Sequence, residues 1–329
     1  MTLPDPLHPI EEAEAEAAFG AILDGEVSEA AIAEFLIALS DRGETASEIA
    51  GAARAMRARM LPISAPENAI DVCGTGGDGH HTLNVSTAVS LVVAACGVPV
   101  AKHGNRAASS KAGAADTLEA LGLDLDRAME TAEATLNDLG ICFLFAGKHH
   151  PAMGRIMPIR RKLGRRTIFN LMGPLANPAR VRRQLVGIAR PAYVPIYAEA
   201  ILRLGTEHSL VVSGDEGLDE LSLAGGNELA EIRGQELSMR RVSPGDAGLS
   251  AAPVEAIRGG DAAYNADALR RLLMGEPGPY RDAVLFNAAG ALIVAGEAQS
   301  WQEGVEEAAE AIDKGLANAL LNCWIAALR

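Results

Sequence analysis

The first 60 residues carry apolar side chains at the spacing of amphipathic helices. Ser28 is placed to cap one helix, and Thr45 with Glu48 three residues later forms a capping-box pattern for the next. The pattern therefore predicts a small helical domain over residues 1–66. We also expect a segment near 160–185 to complete this domain. The first three helices are predicted at 9–23, 28–43 and 45–60.

From residue 67 onward, short apolar runs alternate with longer amphipathic stretches. This alternation predicts an α/β domain over residues 67–329, with a mostly parallel central sheet flanked by helices. Strand-like runs occur at 69–73, 98–104, 141–146, 183–189 and 208–214, with weaker ones at 228–234 and 238–243. Helical periodicity occurs at 86–97, 112–122, 125–140, 194–205, 265–275, 281–296 and 304–328.

Composition and charge narrow the function classes. The chain of 329 residues is 49% hydrophobic and 22% charged, as expected for a folded globular enzyme, and its net charge of −14 argues against general affinity for nucleic acid. No apolar run approaches the roughly 18 to 20 residues that span a bilayer, and no secretory leader pattern is visible. The four cysteines are far apart and favour reduced thiols. We therefore expect a cytoplasmic protein without nucleic-acid or membrane partners.

Positive charge is concentrated in one segment of this acidic chain. Ten lysines and arginines and no acidic residue lie between Lys148 and Arg183. Such a basic block is typical of an exposed helix face or a subunit contact, and it can also form a local anion site. Both interpretations stay open from the residues alone.

The stretch DVCGTGGDGHHTLNVST, at residues 71–87, formally satisfies the dinucleotide pattern G-x-G-x-x-G. In that pattern the third glycine opens a helix, whereas here the helix is expected to start at Asn84 or Ser86. The next strand ends in Lys102 and His103, where a dinucleotide site needs an acidic residue. A Walker loop is excluded because no G-K-[ST] follows.

A phosphate site of another kind fits this glycine loop better. Glycines let an anion approach the main-chain amides, and the following helix N-terminus favours negative charge. A second polar loop follows the next strand, so the two loops fit a ligand with two phosphate groups. The donors in question are Asn84, Ser86, Thr87, Lys102, Arg106, Ser109 and Ser110.

Four carboxylates follow the strand-like run at 208–214. They are Asp215, Glu216, Asp219 and Glu220. Clustered carboxylates after a strand are suited to Mg²⁺, and a solvated acidic turn has the same appearance.

Several motifs in this order resemble the anthranilate phosphoribosyltransferase family. They are GTGGDG, NVST, KHGNRAASSKAGAADTLEALG, FLFAGKHHPAMGRIMPIRRKLGRRTIFNLMGPLANPA and GLDEL. The later segment RDAVLFNAAGALIVAG is similar too, so the resemblance covers nearly the whole chain. The combination is specific, whereas the glycine loop alone is not.

The resemblance implies a homodimer that transfers the 5-phosphoribosyl group of PRPP to the amine of anthranilate, in tryptophan biosynthesis. PRPP is then expected in the cleft between the two domains, with two Mg²⁺ ions per subunit held by Ser86, Asp219 and Glu220. No acid, base or nucleophile is assigned. The residues implied for PRPP are Gly74, Gly77, Asp78, Thr82, Asn84, Val85, Ser86, Thr87, Lys102, Arg106, Ala107, Ala108, Ser109 and Ser110. Those implied for anthranilate are Gly74, Asn105, Arg160, His103, His150 and Pro174.

Two positions depart from the family pattern. Ala114 stands where the family has a serine that contacts PRPP, and Gly147 stands where it has a proline. His149 and His150 are adjacent in the chain, and adjacent rings rarely bind one metal ion.

Two alternatives share the expected fold. A pyrimidine nucleoside phosphorylase has a similar glycine loop, but that family typically has Lys-His-Ser where this chain has residues 102–105, and it lacks the acidic pair. A non-enzymatic relative that binds nucleic acid is supported only by the basic block.

Overall fold

The computed structural model describes residues 2–107 and 111–329. Seven strands form one sheet: β1 (Ile70–Gly74), β2 (Val100–Gly104), β3 (Ile141–Phe145), β4 (Arg183–Gly187), β5 (His208–Gly214), β6 (Asn227–Arg233) and β7 (Glu236–Val242). The helices in this part of the chain are α1 (Glu12–Asp24), α2 (Glu29–Arg42), α3 (Ala46–Arg57), α4 (Val85–Ala95), α5 (Ala114–Leu121), α6 (Leu125–Glu130), α7 (Ala132–Leu139), α8 (Ala146–His149), α9 (Met153–Leu163), α10 (Val194–Arg203), α11 (Ala262–Leu273), α12 (Pro279–Ala295), α13 (Trp301–Asp313) and α14 (Leu316–Ala327).

The sheet order is β3-β2-β1-β4-β5-β6-β7. The first five strands in this order are parallel, whereas β6 and β7 extend the sheet in antiparallel fashion. Gly74 at the end of β1 lies beside Gly187 at the end of β4. The mostly parallel sheet flanked by helices is therefore confirmed, and its carboxyl edge collects the ends of β1, β2, β4 and β5.

The caps of the helical segment form as predicted. The Ser28 hydroxyl accepts a hydrogen bond from the Ala31 amide at 3.4 Å. Thr45 and Glu48 form the reciprocal capping box at the start of α3. These bonds satisfy amides that the first helical turn leaves without partners.

Two packed cores cover the two faces of the sheet. Successive residues of a strand point to opposite faces, so Leu185 joins the core built with α4 and α11–α14, while Val186 joins the core built with α1–α3, α9 and α10. In the second core the ring of Phe19 packs edge-on against Phe169, with centroids 5.8 Å apart. This packing supports completion of the helical domain by the segment near 160–185, and the domain boundaries stay a prediction.

Two predicted helices are each broken in two. The stretch 125–140 divides at Thr131, whose φ of −108° and ψ of 14° leave the helical region. The stretch 304–328 divides at Gly315, which adopts a φ of +71° between α13 and α14. Such dihedral angles end a helix whatever the apolar periodicity around them. Within residues 2–107 and 111–329, no helix has the length and apolar character needed to cross a membrane.

Candidate functional site

The glycine loop joins the end of β1 to the start of α4. Gly76, Gly77 and Gly79 adopt φ values of +75°, +75° and +84°, which side-chain-bearing residues rarely adopt. A Cβ placed on Gly76 or on Gly79 would meet no atom within 4 Å. The loop therefore presents open backbone to an anion, as its sequence predicted.

The acidic loop after β5 closes over this glycine loop. The Asp219 carboxylate accepts a hydrogen bond from the Gly76 amide at 2.6 Å, and the Glu220 carboxylate accepts one from the Ser86 amide at 3.2 Å. A Cβ on Gly74 would lie 2.7 Å from the Asp219 carboxyl carbon, and one on Gly187 would overlap the main chain of Asp219. Glycines at two neighbouring strand ends thus make room for the acidic pair.

Burial and like charge dominate the electrostatics of the acidic pair. Burial, with Asp78 and Glu220 as neighbours, raises the pKa of Asp219 well above its usual value. Burial raises the pKa of Glu220 to about 7, although the Lys102 ammonium opposes the shift. Burial also lowers the pKa of Lys102. The Lys102 ammonium interacts with Asp71 and Glu220, whereas Asp219 faces the like charges of Asp78 and Glu220. The acidic pair thus supplies the hard oxygen ligands and negative charge that Mg²⁺ prefers. These residues fit a bound Mg²⁺.

Lys102 lies beneath the site at the end of β2. Its ammonium donates to the Val72 carbonyl at 2.9 Å and to the Ser86 hydroxyl at 3.3 Å. The structure thus brings together Ser86, Glu220 and Lys102, which lie far apart in the chain. Lys102 is 3% exposed, so it acts on the site as a fixed positive charge from below.

The residues predicted as ligand donors at the start of α4 differ in whether their side chains already have hydrogen-bond partners. Asn84 is the residue before the helix, and its side-chain oxygen already accepts from Thr117 at 2.6 Å and from Asn265 at 2.8 Å. The buried Thr87 hydroxyl, by contrast, finds no hydrogen-bond partner in the part of the chain that the structure describes. Val85 begins the helix and is buried, and Thr82 pairs its backbone with Arg258.

The loop after β2 carries further predicted ligands. The exposed Asn105 accepts a hydrogen bond from the Arg106 amide at 2.8 Å. The Arg106 side chain pairs with Asp116 at 3.0 Å and with Glu119 at 2.9 Å. These two carboxylates hold the guanidinium in the described arrangement, and its contact with PRPP stays a prediction. The same Asp116 fixes the loop by accepting from the Ala107 amide at 2.9 Å. The predicted ligands Ala108, Ser109 and Ser110 lie outside the described residues.

Three residues implied for anthranilate are brought together. His103 contacts the Gly173 carbonyl through Nδ1 at 2.9 Å, and its Nε2 lies 3.3 Å from Nε2 of His150. Pro174 is buried next in the chain. Burial and the mutual proximity of the rings lower the pKa of His103 to about 3, and burial lowers that of His150 to about 4. Both rings are neutral at pH 7, so His103 donates through Nδ1 to the Gly173 carbonyl and its Nε2 is an acceptor that faces His150.

The basic block separates into distinct groups. Arg160 is half-buried, and the only hydrogen-bond partner of its guanidinium among the described residues is the Met157 sulfur at 3.7 Å. Arg166 donates to the carbonyls of Gly77 at 3.0 Å and Gly76 at 3.2 Å, a contact that no spacing in the sequence indicated. Three members form ion pairs: Lys162 with Glu29, Arg165 with Asp41, and Arg183 with Glu207.

Other polar residues of the same stretches point elsewhere. Asp215 pairs with Arg241, and Glu216 accepts from the Ser222 hydroxyl, so only half of the four-carboxylate cluster reaches the site. His149 contacts the Leu61 carbonyl at 2.7 Å, while His150 faces His103. The adjacent histidines thus have separate partners, and the absence of a shared metal ion at this pair stays a prediction.

The two positions that depart from the family pattern, Ala114 and Gly147, both lie in helices. Ala114 is the first residue of α5, and a methyl group stands where the family has a hydroxyl. Gly147 lies in α8, and a Cβ there would lie 2.9 Å from the Phe145 ring. A proline at this position would therefore require the ring to move.

Comparison with known proteins decides the family. Residues 66–318 match the model of the glycosyl transferase family, a/b domain, and residues 7–60 match that of the glycosyl transferase family, helical bundle domain. An anthranilate phosphoribosyltransferase of Novosphingobium aromaticivorans is 85% identical over 326 residues, covering 99% of both chains. The chain belongs to the anthranilate phosphoribosyltransferase family.

Solved structures agree with this membership of the anthranilate phosphoribosyltransferase family. The enzyme of Thermus thermophilus matches with a TM-score of 0.91 and 46% identity, over 98% of this chain and 97% of that one. The enzyme of Saccharomyces cerevisiae in complex with PRPP and Mg matches with a TM-score of 0.88 and 29% identity, over 97% of this chain and 93% of that one. Membership selects the transferase interpretation over the nucleoside phosphorylase and nucleic-acid-binding alternatives.

Proposed function

We propose that this protein transfers the 5-phosphoribosyl group from PRPP to the amine of anthranilate, releasing pyrophosphate. The observation that supports this most directly is the glycine loop held against a partly buried acidic pair, Asp219 and Glu220, at the carboxyl edge of a parallel sheet. Open α/β sheets bind ligands at this edge. The relatives at 85% and 72% identity bear the name of the enzyme that performs this reaction.

The diphosphate of PRPP is proposed to bind along the glycine loop and the start of α4. The Gly76 amide already donates to Asp219 and the Thr75 amide to the Gly187 carbonyl, so the amides of Gly77 and Asp78 are the ones proposed to meet the diphosphate. The buried Thr87 hydroxyl, which has no partner among the described residues, lies in the first turn of α4. Lys102 adds a buried positive charge. As the C1–O bond breaks, negative charge develops on the departing diphosphate, and these fixed donors and charges stabilise it.

The role of Arg106 requires a rearrangement. Its guanidinium pairs with Asp116 and Glu119, so a contact with PRPP requires the ligand phosphates to replace these carboxylates. Asn84 is held in the same way: its amide nitrogen donates to the Ala112 carbonyl at 3.3 Å, and its side-chain oxygen accepts from Thr117 and Asn265. Ala108, Ser109 and Ser110 remain proposed ligands by family resemblance.

Anthranilate is proposed to bind between Arg160, Asn105 and the His103–His150 pair. Arg160 is half-buried with only a thioether as partner, which suits a carboxylate ligand. Burial alone lowers its pKa, as expected for a cation that lacks a counter-ion. The neutral imidazoles and the buried Pro174 provide a surface for an aromatic ring.

Ser86, Asp219 and Glu220 are proposed to hold Mg²⁺, with two ions per subunit. When bound, Mg²⁺ supplies Lewis-acid stabilisation of the diphosphate charge. The chain's own contribution is to keep these oxygen ligands together: the Gly76 amide orients Asp219, and the Ser86 amide orients Glu220.

No side chain is assigned as general acid, base or nucleophile. An aromatic amine is a neutral nucleophile already, so activation by a base is not required before attack. Positioning of the amine against C1 and stabilisation of the leaving group are then the main contributions to rate. A homodimer in the cytoplasm is proposed on family resemblance.

The decisive experiment follows anthranilate fluorescence with the purified protein, PRPP and Mg²⁺. Loss of fluorescence that requires both PRPP and Mg²⁺ is expected. A parallel reaction measures phosphate-dependent release of uracil from uridine. Uracil release without any consumption of anthranilate would refute the proposal.

A further inference from the structure

A second basic cavity lies at the opposite edge of the sheet from the site described above. It has a volume of about 200 Å³ and is lined by Arg57, Arg180, Val181, Arg182, Gln184, Ile201, Leu204, Gly205 and Thr206. Arg182 directly precedes β4, and Thr206 lies two residues before β5, so the cavity is at the amino ends of these strands. The glycine loop and the acidic pair are at their carboxyl ends.

Three of the lining side chains are arginines without counter-ions, of which Arg57 is half-buried while Arg180 and Arg182 are exposed. Among the described residues, no carboxylate lies within ion-pair distance of Arg57, Arg180 or Arg182, and no acidic side chain lines the cavity. The carboxylate of Glu207 forms an ion pair with Arg183 and interacts with Arg182 only at longer range. Carbonyls at the end of α10 offset part of the positive charge but supply no full negative charge.

Arg57 is the most deeply placed of the three. Its Nε donates to the Leu175 carbonyl at 2.6 Å, and the side chain lines the cavity. Burial, with Arg54 and Arg180 as like-charged neighbours, lowers its pKa to about 10. The guanidinium therefore stays charged at pH 7 in surroundings that penalise the charge.

The backbone also holds an arginine in an unusual conformation here. Arg180 has a φ of +52°, and it is one of two non-glycine residues with positive φ in the described part of the chain. A hydrogen bond from its amide to the Asn177 carbonyl at 2.9 Å closes this turn. Such conformations cost free energy and often accompany binding sites.

We propose that this cavity is a binding site for a small phosphate-bearing anion. Three unpaired guanidinium groups match the charge and the oxygen geometry of a phosphate dianion. The apolar wall of Ile201 and Leu204 leaves space for an organic group on a phosphate ester. Since Arg57 ends α3 while Arg180 and Arg182 precede β4, the anion links the helical segment to the sheet.

The test compares phosphate binding by the full-length protein and by two double variants. Arg180→Gln with Arg182→Gln removes two charges from the cavity, and Arg127→Gln with Arg329→Gln removes two charges from exposed positions elsewhere. The Tm of each protein is measured without Mg²⁺ at increasing concentrations of inorganic phosphate. The cavity variant is expected to bind at this site roughly tenfold more weakly or worse, with a smaller rise in Tm, whereas the control follows the wild type.

Phenyl phosphate serves as a second probe. Tighter binding than inorganic phosphate identifies an ester as the ligand class, and equal binding identifies free phosphate. A crystal soaked in tungstate locates the site directly, with anomalous density expected beside Arg57, Arg180 and Arg182.

Two results overturn the proposal. One is an equal rise in Tm with phosphate for the wild type and the cavity variant. The other is a soaked crystal whose only tungstate lies at the glycine loop. Both are distinct from failure of the proposed transferase activity, because the cavity variant should retain wild-type turnover of anthranilate.

Discussion

Substitution of Gly74 by alanine tests how the end of β1 positions the acidic pair. The added Cβ would lie 2.7 Å from the carboxyl carbon of Asp219 and 2.8 Å from its carbonyl oxygen, where ordinary contacts are 3.4 Å or more. Both the side chain and the main chain of Asp219 are crowded, so no rotation of the carboxylate alone relieves the overlap. The acidic loop must move by roughly an ångström, which breaks the bond from the Gly76 amide.

The expected loss of activity follows from the lost hydrogen bond between the Gly76 amide and the Asp219 carboxylate. Losing a charge-assisted hydrogen bond costs about 1.5–3 kcal/mol, which corresponds to roughly a ten- to hundredfold loss of kcat/KM for PRPP. Gly79→Ala is the matched control, since it lies in the same loop at φ +84° with no atom within 4 Å of the added Cβ. It should show only the backbone strain, about 1–2 kcal/mol of stability.

The assay is the initial rate of anthranilate fluorescence loss at varied PRPP, with thermal unfolding measured on the same preparations. Gly74→Ala should remain folded yet lose far more activity than Gly79→Ala. If the two variants retained the same kcat/KM for PRPP, the steric argument for the position of Asp219 would be wrong.

The remaining predictions concern anthranilate, magnesium, stability and pH. Arg160→Gln should raise the KM for anthranilate roughly ten- to hundredfold and leave that for PRPP within about twofold, because a charge-assisted contact is lost; an unchanged anthranilate KM refutes the contact. Asp219→Asn combined with Glu220→Gln should lower kcat strongly in a Mg²⁺ titration while Tm shows an intact fold, and near-normal Mg²⁺-dependent rates would remove the metal assignment. Glu48→Gln should lower the free energy of unfolding in urea by about 3 kcal/mol, since its fully buried carboxylate pairs with an arginine and accepts from two main-chain amides; a loss below about 1 kcal/mol would contradict this. His103 has a folded pKa of about 3, below its unfolded value, so it binds fewer protons when folded and stability falls as pH drops below about 6.5. His103→Asn should therefore remove about 2 kcal/mol of the stability difference between pH 7 and pH 5, and an unchanged difference would refute the shift.

Neighbouring residues provide controls for these variants. Arg161→Gln, beside Arg160 but exposed, should leave both KM values unchanged. Asp215→Asn with Glu216→Gln removes the two carboxylates of the same stretch that point away from the site.

The helix caps, the strands and the glycine loop follow from residues that lie close together in the chain. Ser28, Thr45 and Glu48 cap helices through bonds that span only three residues, so the sequence pattern was sufficient to predict them. The strands and the glycine loop were predicted for the same reason, because periodicity and glycine spacing act within one element. The mostly parallel sheet was predicted from the alternation of strands and helices along the chain. The helix breaks at Thr131 and Gly315 were missed, because apolar periodicity continued through both.

The site itself depended on contacts between distant parts of the chain. Gly76 and Asp219 are 143 residues apart, and only the placement of β4 between β1 and β5 brings them together. The same packing places Asp215 away from the site, where it pairs with Arg241. It also gives the Asn84 side chain a hydrogen bond from Asn265 and pairs Arg106 with Asp116.

The sequence therefore determined which elements form and which chemical groups they carry, since those depend on near neighbours. Only the tertiary structure decided which carboxylates face the glycine loop, and that Arg166 reaches its carbonyls. The physical reason is that a side chain's partner across the sheet is set by strand order and by space, as Gly74 and Gly187 illustrate, and neither is encoded in local spacing.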